Sequence, residues 1–218
     1  MDMGKNMKNF EKILIISPHT DDGEVAAGGT LARFVEENKE IYYVAFSYCE
    51  ISVPPGFKKD TLKNECKNAT KIIGISPERV TLFNYTVRTF PMHRQKILDD
   101  MIKIRDKIKP DVVMVPSSHD THQDHQTISQ EALRAFKKTS SIWGFEHPWN
   151  NLTFTNDIFI KLEERHIQRK IESLKMYTSQ EKRTYFEENY VKSLARTRGV
   201  QVDFQYAESF ELIRMLLF

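Results

Sequence analysis

Residues 12–48 read KILIISPHTDDGEVAAGGTLARFVEENKEIYYVAFSY, and this stretch sets the fold class. Lys12 to Ser17 is an apolar run of strand length. After the acidic segment, Gly28-Gly29-Thr30 reads as a tight turn and helix start, followed by apolar residues at Leu31, Phe34 and Val35 in helical spacing. Ile41 to Tyr48 returns to a strand pattern. Strand, loop, helix and strand in that order make one unit of a parallel sheet, because parallel strands need a crossover and a helix provides it.

The alternation continues outward. Lys58 to Ile73 reads as a helix closed by Gly74, Val80 to Tyr85 as a strand, Arg94 to Lys109 as a helix stopped by Pro110, and Asp111 to Pro116 as a strand. Gln126 to Lys138 carries Ile128, Ala132, Leu133 and Phe136 in helical spacing, and Ile142 to Phe145 is a short strand. A strand over Asp157 to Leu162, helices over Glu163 to Tyr177 and Tyr185 to Arg196, and a terminal run from Tyr206 to Phe218 complete the reading. The expectation is one α/β domain over residues 1–218, with a mostly parallel sheet and helices on both faces. Ile51 to Phe57, with Pro54-Pro55-Gly56, is expected to be a mobile loop.

Composition narrows the function. With 218 residues and 40% hydrophobic content the chain can bury one sizeable core. Charged residues nearly cancel to a net charge of +2, so no basic field exists to hold nucleic acid. No run approaches the roughly 18 apolar residues of a membrane span, and the polar start, Met1 to Asn9, followed by the short Ile13 to Ile16, does not resemble a signal peptide. Cytoplasmic location is the expectation. Cys49 and Cys66, without C-x-x-C spacing, suit a reducing compartment and read as packing residues. The Asn-x-Ser/Thr triplets at Asn68, Asn84 and Asn151 then carry no meaning.

Two short segments about 100 residues apart carry the chemistry: Pro18-His19-Thr20-Asp21-Asp22-Gly23-Glu24 and His119-Asp120-Thr121-His122-Gln123-Asp124-His125. Each follows a strand, and in an open parallel sheet the loops at the carboxyl ends of strands converge where strand order reverses. His19 and Asp22 can face one point, with His125 as a third ligand. Two imidazoles, one carboxylate and an open position form the ligand set of catalytic zinc. The adjacent Asp21 is left as general base, though spacing alone permits Asp21 and Asp22 to exchange roles. Asp124 is expected to orient the His122 ring for oxyanion stabilisation or proton delivery.

The first segment resembles the Pro-His-Pro-Asp-Asp-x-Glu signature of the PIG-L/LmbE family of zinc-dependent N-deacetylases, and the second resembles that family's Asp-x-His-x-Asp-His block. Gly28-Gly29-Thr30, Glu65, Lys175-Met176-Tyr177-Thr178-Ser179-Gln180 and Tyr206-Ala207-Glu208-Ser209-Phe210 extend the resemblance over nearly the whole chain. It implies a Rossmann-like fold, zinc on His19, Asp22 and His125, Asp21 as base, and His122 with Asp124 as the acid or oxyanion-stabilising pair. It also implies removal of an acetyl group from N-acetylglucosamine-type sugars, free or conjugated, and, for some members, homo-oligomers. Thr20 replaces the usual proline, and Lys58 to Lys63 lacks the arginine that often precedes the helix-two glutamate.

The candidates for substrate contact are Glu24, Asp120, Glu146 and Arg196, with Arg198 beside the last. Trp143 to Asn150 reads either as an aromatic wall for a sugar or as a core strand entering a turn. His93, His147 and His166 receive no metal role, and His119 no task. The competing readings are magnesium-dependent phosphoryl transfer on Asp21, Asp22 and Glu24, and a catalytically silent sugar- or metal-binding module.

Overall fold

A computed structural model describes residues 10–217; Met1 to Asn9 and Phe218 lie outside them. Strand β1 (Lys12–His19) lies mid-sheet, and its core residues Ile13, Leu14, Ile15 and Ile16 have no exposed surface. Alternation divides them: Ile13 and Ile15 join the core on one face, Leu14 and Ile16 the core on the other. Burial on both faces explains the unbroken apolar run, with each side chain contributing about 1.5–3 kcal/mol.

Helix α1 (Asp22–Glu36) returns the chain to β2 (Glu40–Ser47), which pairs parallel with β1. Then follow α2 (Thr61–Ile73), β3 (Val80–Leu82), α3 (Arg94–Ile108), β4 (Val112–Pro116), α4 (Gln123–Phe136) and β5 (Ser141–Phe145). The later elements are β6 (Ile158–Leu162), α5 (Glu164–Leu174), α6 (Glu188–Val200) and β7 (Tyr206–Arg214). The sheet order is β3-β2-β1-β4-β5-β7-β6. The strands from β3 to β5 pair parallel, and β7 runs antiparallel between β5 and β6. Helices α1 and α2 pack on one face and α3 and α4 on the other. A smaller cluster sets Ile167, Ile171 and Leu174 of α5 against Val25 and Leu162.

Two helices begin earlier than their apolar spacing predicts. Helix α1 starts at Asp22 and α4 at Gln123, so much of each chemical motif lies in a helical first turn. Gly28-Gly29-Thr30 is therefore mid-helix, not a turn. A Cβ at Gly28 would stand 2.8 Å from Lys170 Cγ, and one at Gly29 2.6 Å from Leu162 Cδ1, so the glycines let α5 and β6 approach α1. Strand β3 ends at Leu82, short of Tyr85, because Asn84 crosses to an isolated antiparallel bridge with Ser47. The segment after β2 holds one short helical turn, Glu50–Ser52, before its prolines. Cys49 and Cys66 are buried free thiols. No helix among the described residues is long and apolar enough to cross a membrane.

Gly29→Val is expected to lower stability by about 1–3 kcal/mol through overpacking against Leu162. The gain from replacing a helical glycine, a few tenths of a kcal/mol, does not offset that. Urea denaturation followed by circular dichroism reads the difference.

Candidate metal centre

The two motifs meet because β1 and β4 are neighbours. His19 ends β1, Asp22 begins α1, and His125 sits in the first turn of α4. His19 Nδ1 is 3.0 Å from Asp22 Oδ2, and His125 Nε2 is 3.3 Å from the same oxygen. The two ring nitrogens are 3.4 Å apart. Tetrahedral zinc holds such ligands at about 2.0–2.2 Å, which places neighbouring ligand atoms about 3.3 Å from each other. The three atoms stand at the spacing of one face of that tetrahedron, so the donor set fits a divalent ion.

Carboxylates behind the rings decide which nitrogens face inward. His19 Nε2 donates to Asp124 Oδ2 at 3.0 Å, and His125 Nδ1 donates to Asp120 Oδ2 at 2.7 Å. A carboxylate only accepts, so these nitrogens carry the protons and the opposite nitrogens present lone pairs to the centre. Asp124 further accepts the N–H groups of Arg88 and Phe90, and Asp120 that of His122.

This arrangement corrects two expectations. Asp124 does not orient the His122 ring: His122 caps α4, its Nδ1 accepting the Asp124 N–H at 3.1 Å, and the Asp124 carboxylate turns to His19. Asp120 is buried behind His125 and cannot reach a substrate.

The electrostatics is mutual. Burial pulls both ligand imidazoles toward neutrality, but Asp22 and Asp124 hold His19 up to about 10, and Asp22 and Asp120 hold His125 up to about 9. Burial would raise Asp22, yet His125 and His19 keep it well below the usual carboxylate range. The rings attract positive charge where the three atoms converge, and a divalent cation binding there displaces their protons. His122 is pushed the other way, down to about 4, by burial and by His125 and His19. With its Nδ1 engaged as an acceptor, neutral His122 presents Nε2–H to the cavity.

A cavity of about 190 Å³ opens over this centre. Asp21 lines it, and its carboxyl makes no hydrogen bond among the described residues. Burial and then Asp22 raise its affinity for a proton, partly opposed by the charges of His19 and Arg183. Trp149 forms part of the wall and stacks on Tyr185, with centroids 4.3 Å apart and rings 12° from parallel. Trp143 instead belongs to the core, so the aromatic segment serves both readings.

Three expected substrate contacts lie elsewhere. Glu24 has no exposed surface; the hydroxyls of Tyr43 and Tyr177 donate to it beneath the turn, and burial pushes it up to about 8. Glu146 receives Arg198 Nε and Nη2 at 2.8 and 2.6 Å, tying α6 to the end of β5. Arg196 donates to the carbonyls of Phe204 and Gln205 and closes the turn into β7.

Sequence reasoning passed over His147. It is fully buried, donates from Nε2 to the Asp22 carbonyl at 3.2 Å, and sets Nδ1 3.6 Å from Asp120 Oδ2. It thus touches what supports both halves of the centre. Its position two residues past β5, the strand beside β4, was the available signal. Arg88, Gln180, Arg183 and Tyr185, all in the cavity wall, were also missed, since each comes from an irregular connection with no motif.

Comparison with known proteins places these features in context. The family model described as GlcNAc-PI de-N-acetylase matches residues 14–136. YaiS, an uncharacterised deacetylase of Escherichia coli K12, is 27% identical over 170 residues, which cover 77% of this chain and 90% of that protein. The N,N'-diacetylchitobiose deacetylase of Pyrococcus horikoshii superposes with a TM-score of 0.78 at 18% identity, covering 94% of this chain and 84% of that one. GalB, a 4-carboxy-2-hydroxymuconate hydratase of Pseudomonas putida KT2440, superposes with a TM-score of 0.77 at 19% identity, covering 95% and 98%. A deacetylase and a hydratase thus share this fold, and the reaction has to be argued from side chains.

Asp120→Asn is expected to weaken divalent-ion affinity about 10–100-fold, since it removes the carboxylate behind His125. Competition against a chromogenic chelator measures it, and unchanged affinity would remove Asp120 from this role.

Proposed function

The chain belongs to the PIG-L family, and from that membership and the converging His19, Asp22 and His125 atoms we propose that it is a zinc-dependent N-deacetylase of N-acetylated amino sugars or their conjugates. The observation that carries the reading is the pairing of that three-atom cup with a partner-free carboxyl, Asp21, on the cavity wall. Two nitrogen donors to one oxygen favour zinc over magnesium, which prefers all-oxygen sites, and weigh against phosphoryl transfer. When bound, zinc supplies Lewis acidity, polarising the acetyl carbonyl and easing loss of a proton from water.

The chain's own groups perform the rest. Asp21 accepts the proton of the attacking water; its raised proton affinity makes it a stronger base than an exposed aspartate. As the carbon–oxygen bond forms, negative charge gathers on the acetyl oxygen, and His122 Nε2–H, in the same cavity, donates to it. Protonated Asp21 then delivers its proton to the departing nitrogen as the carbon–nitrogen bond breaks. Water is consumed, and acetate and a free amine are released. Trp149 offers a ring face to the sugar.

Asp21→Asn is expected to lower kcat for acetate release by about 10²–10⁴-fold while zinc content, measured by elemental analysis, stays at wild-type level. Retained turnover would remove Asp21 from the reaction. Stripping the ion with a chelator is expected to abolish acetate release from a panel of N-acetylated amino sugars, and zinc to restore more of it than magnesium. Full activity of the metal-free protein would overturn the metal dependence.

A further inference from the structure

The floor and the mouth of the cavity carry opposite charges. Asp21 and Asp22 lie at the floor, whereas exposed Arg88 and Arg183 line the same cavity. Neither guanidinium has a carboxylate partner among the described residues. The Arg88 side chain makes no hydrogen bond or ion pair there, and Arg183 donates only to neutral acceptors, from Nε to Gln180 at 2.6 Å and from Nη1 to the Tyr185 hydroxyl at 2.8 Å. Elsewhere in the chain Arg94, Arg134 and Arg165 rest on carboxylates.

Both residues are held where they stand. Arg88 adopts a left-handed φ of 68°, which costs a non-glycine residue about 1 kcal/mol or more. Its N–H donates to Asp124 Oδ2 at 2.5 Å, so the residue is locked to the layer behind the metal centre. The Arg183 guanidinium lies 5.7 Å from the centroid of the Tyr185 ring, which stacks in turn on Trp149. Planar guanidinium forks match carboxylate and phosphate oxygens, and fixed, unneutralised forks lose little entropy on binding them.

We propose that Arg88 and Arg183 form an anion clamp, and that the preferred substrate is an N-acetylated amino sugar whose substituent carries a carboxylate or a phosphate. This rests on the deacetylase reading. The acetamide goes to the floor, where the metal and Asp21 act. The anion stays at the mouth, because the carboxylates at the floor repel it.

The test measures binding and turnover separately on the zinc-loaded full chain. Calorimetry on Asp21→Asn protein compares N-acetylglucosamine with its 1-phosphate, its 6-phosphate and its glycoside with a hydroxy acid. At least one anionic compound is expected to bind about tenfold or more tighter than the neutral sugar at low salt, with the advantage shrinking as salt rises. Which compound gains tells phosphate from carboxylate. Adding Arg88→Gln or Arg183→Gln is expected to bring the anionic-to-neutral affinity ratio toward one, and Arg88→Lys to restore part of it. Equal binding of neutral and anionic compounds, or an unchanged ratio in both glutamine variants, overturns the clamp. Acetate release by wild-type protein is scored independently: selective anion binding without any release would overturn the deacetylase reading and leave the clamp standing.

Discussion

Adjacency of β1 and β4 is the constraint on which the site depends. Strand β1 sends its crossover to β2 on one side and has β4 on the other, so the connections leaving β1 and β4 diverge and a crevice opens between them. Leu14 lies opposite Val113 in that pairing, and both are buried in the core beneath α3 and α4. The register fixes how far apart His19 and the start of α4 lie along the strand direction. A slip of one residue would exchange the buried faces of β1 and carry His19 out of reach of His125. Core packing and the geometry of the centre are therefore the same requirement.

Across the crevice runs a chain of alternating acid and imidazole: Asp124, His19, Asp22, His125 and Asp120, with His147 closing back on Asp22. Buried charges are costly unless each is paired and hydrogen-bonded. Asp124 illustrates the solution, accepting one imidazole and two main-chain N–H groups. Placement in helical first turns adds to it, since the positive ends of α1 and α4 favour Asp22 and Asp124 as anions. The same placement sets the ligands on rigid elements, not flexible loops.

Much of this was legible in residues 12–48 and 111–125. Unbroken apolar runs ending in histidine and aspartate identify buried parallel strands that feed a site, and the ligand triad follows from the residue types. Roles behind the ligands were not legible. Whether Asp124 faces His122 or His19 depends on one cap hydrogen bond, which no spacing reveals. Glu24, Glu146 and Arg196 looked available because sequence shows charge but not the Tyr43, Tyr177 and Arg198 side chains, or the carbonyls, that already engage them. The motif pairs that seemed unrelated meet in space. Glu65 accepts from Thr178 and Ser179, and Glu208 accepts the N–H groups of Gly29 and Thr30 together with buried Lys170.

The carboxyl groups around the crevice divide by what already satisfies them. Asp120 and Asp124 are fully engaged by rings and main-chain donors, which leaves them no lone pair for chemistry and makes them supports. Glu24 lies under two tyrosine hydroxyls that also donate to the Thr20 carbonyl, so it stiffens the turn from below. Asp22 is drawn between two imidazoles and has the low proton affinity of a ligand. Asp21, next to it in sequence, points into open space with its proton affinity raised by burial and by that same neighbour. A ligand must stay deprotonated and a base must be able to take a proton, so the contrast within the Asp21-Asp22 pair assigns the two roles that residue spacing left interchangeable.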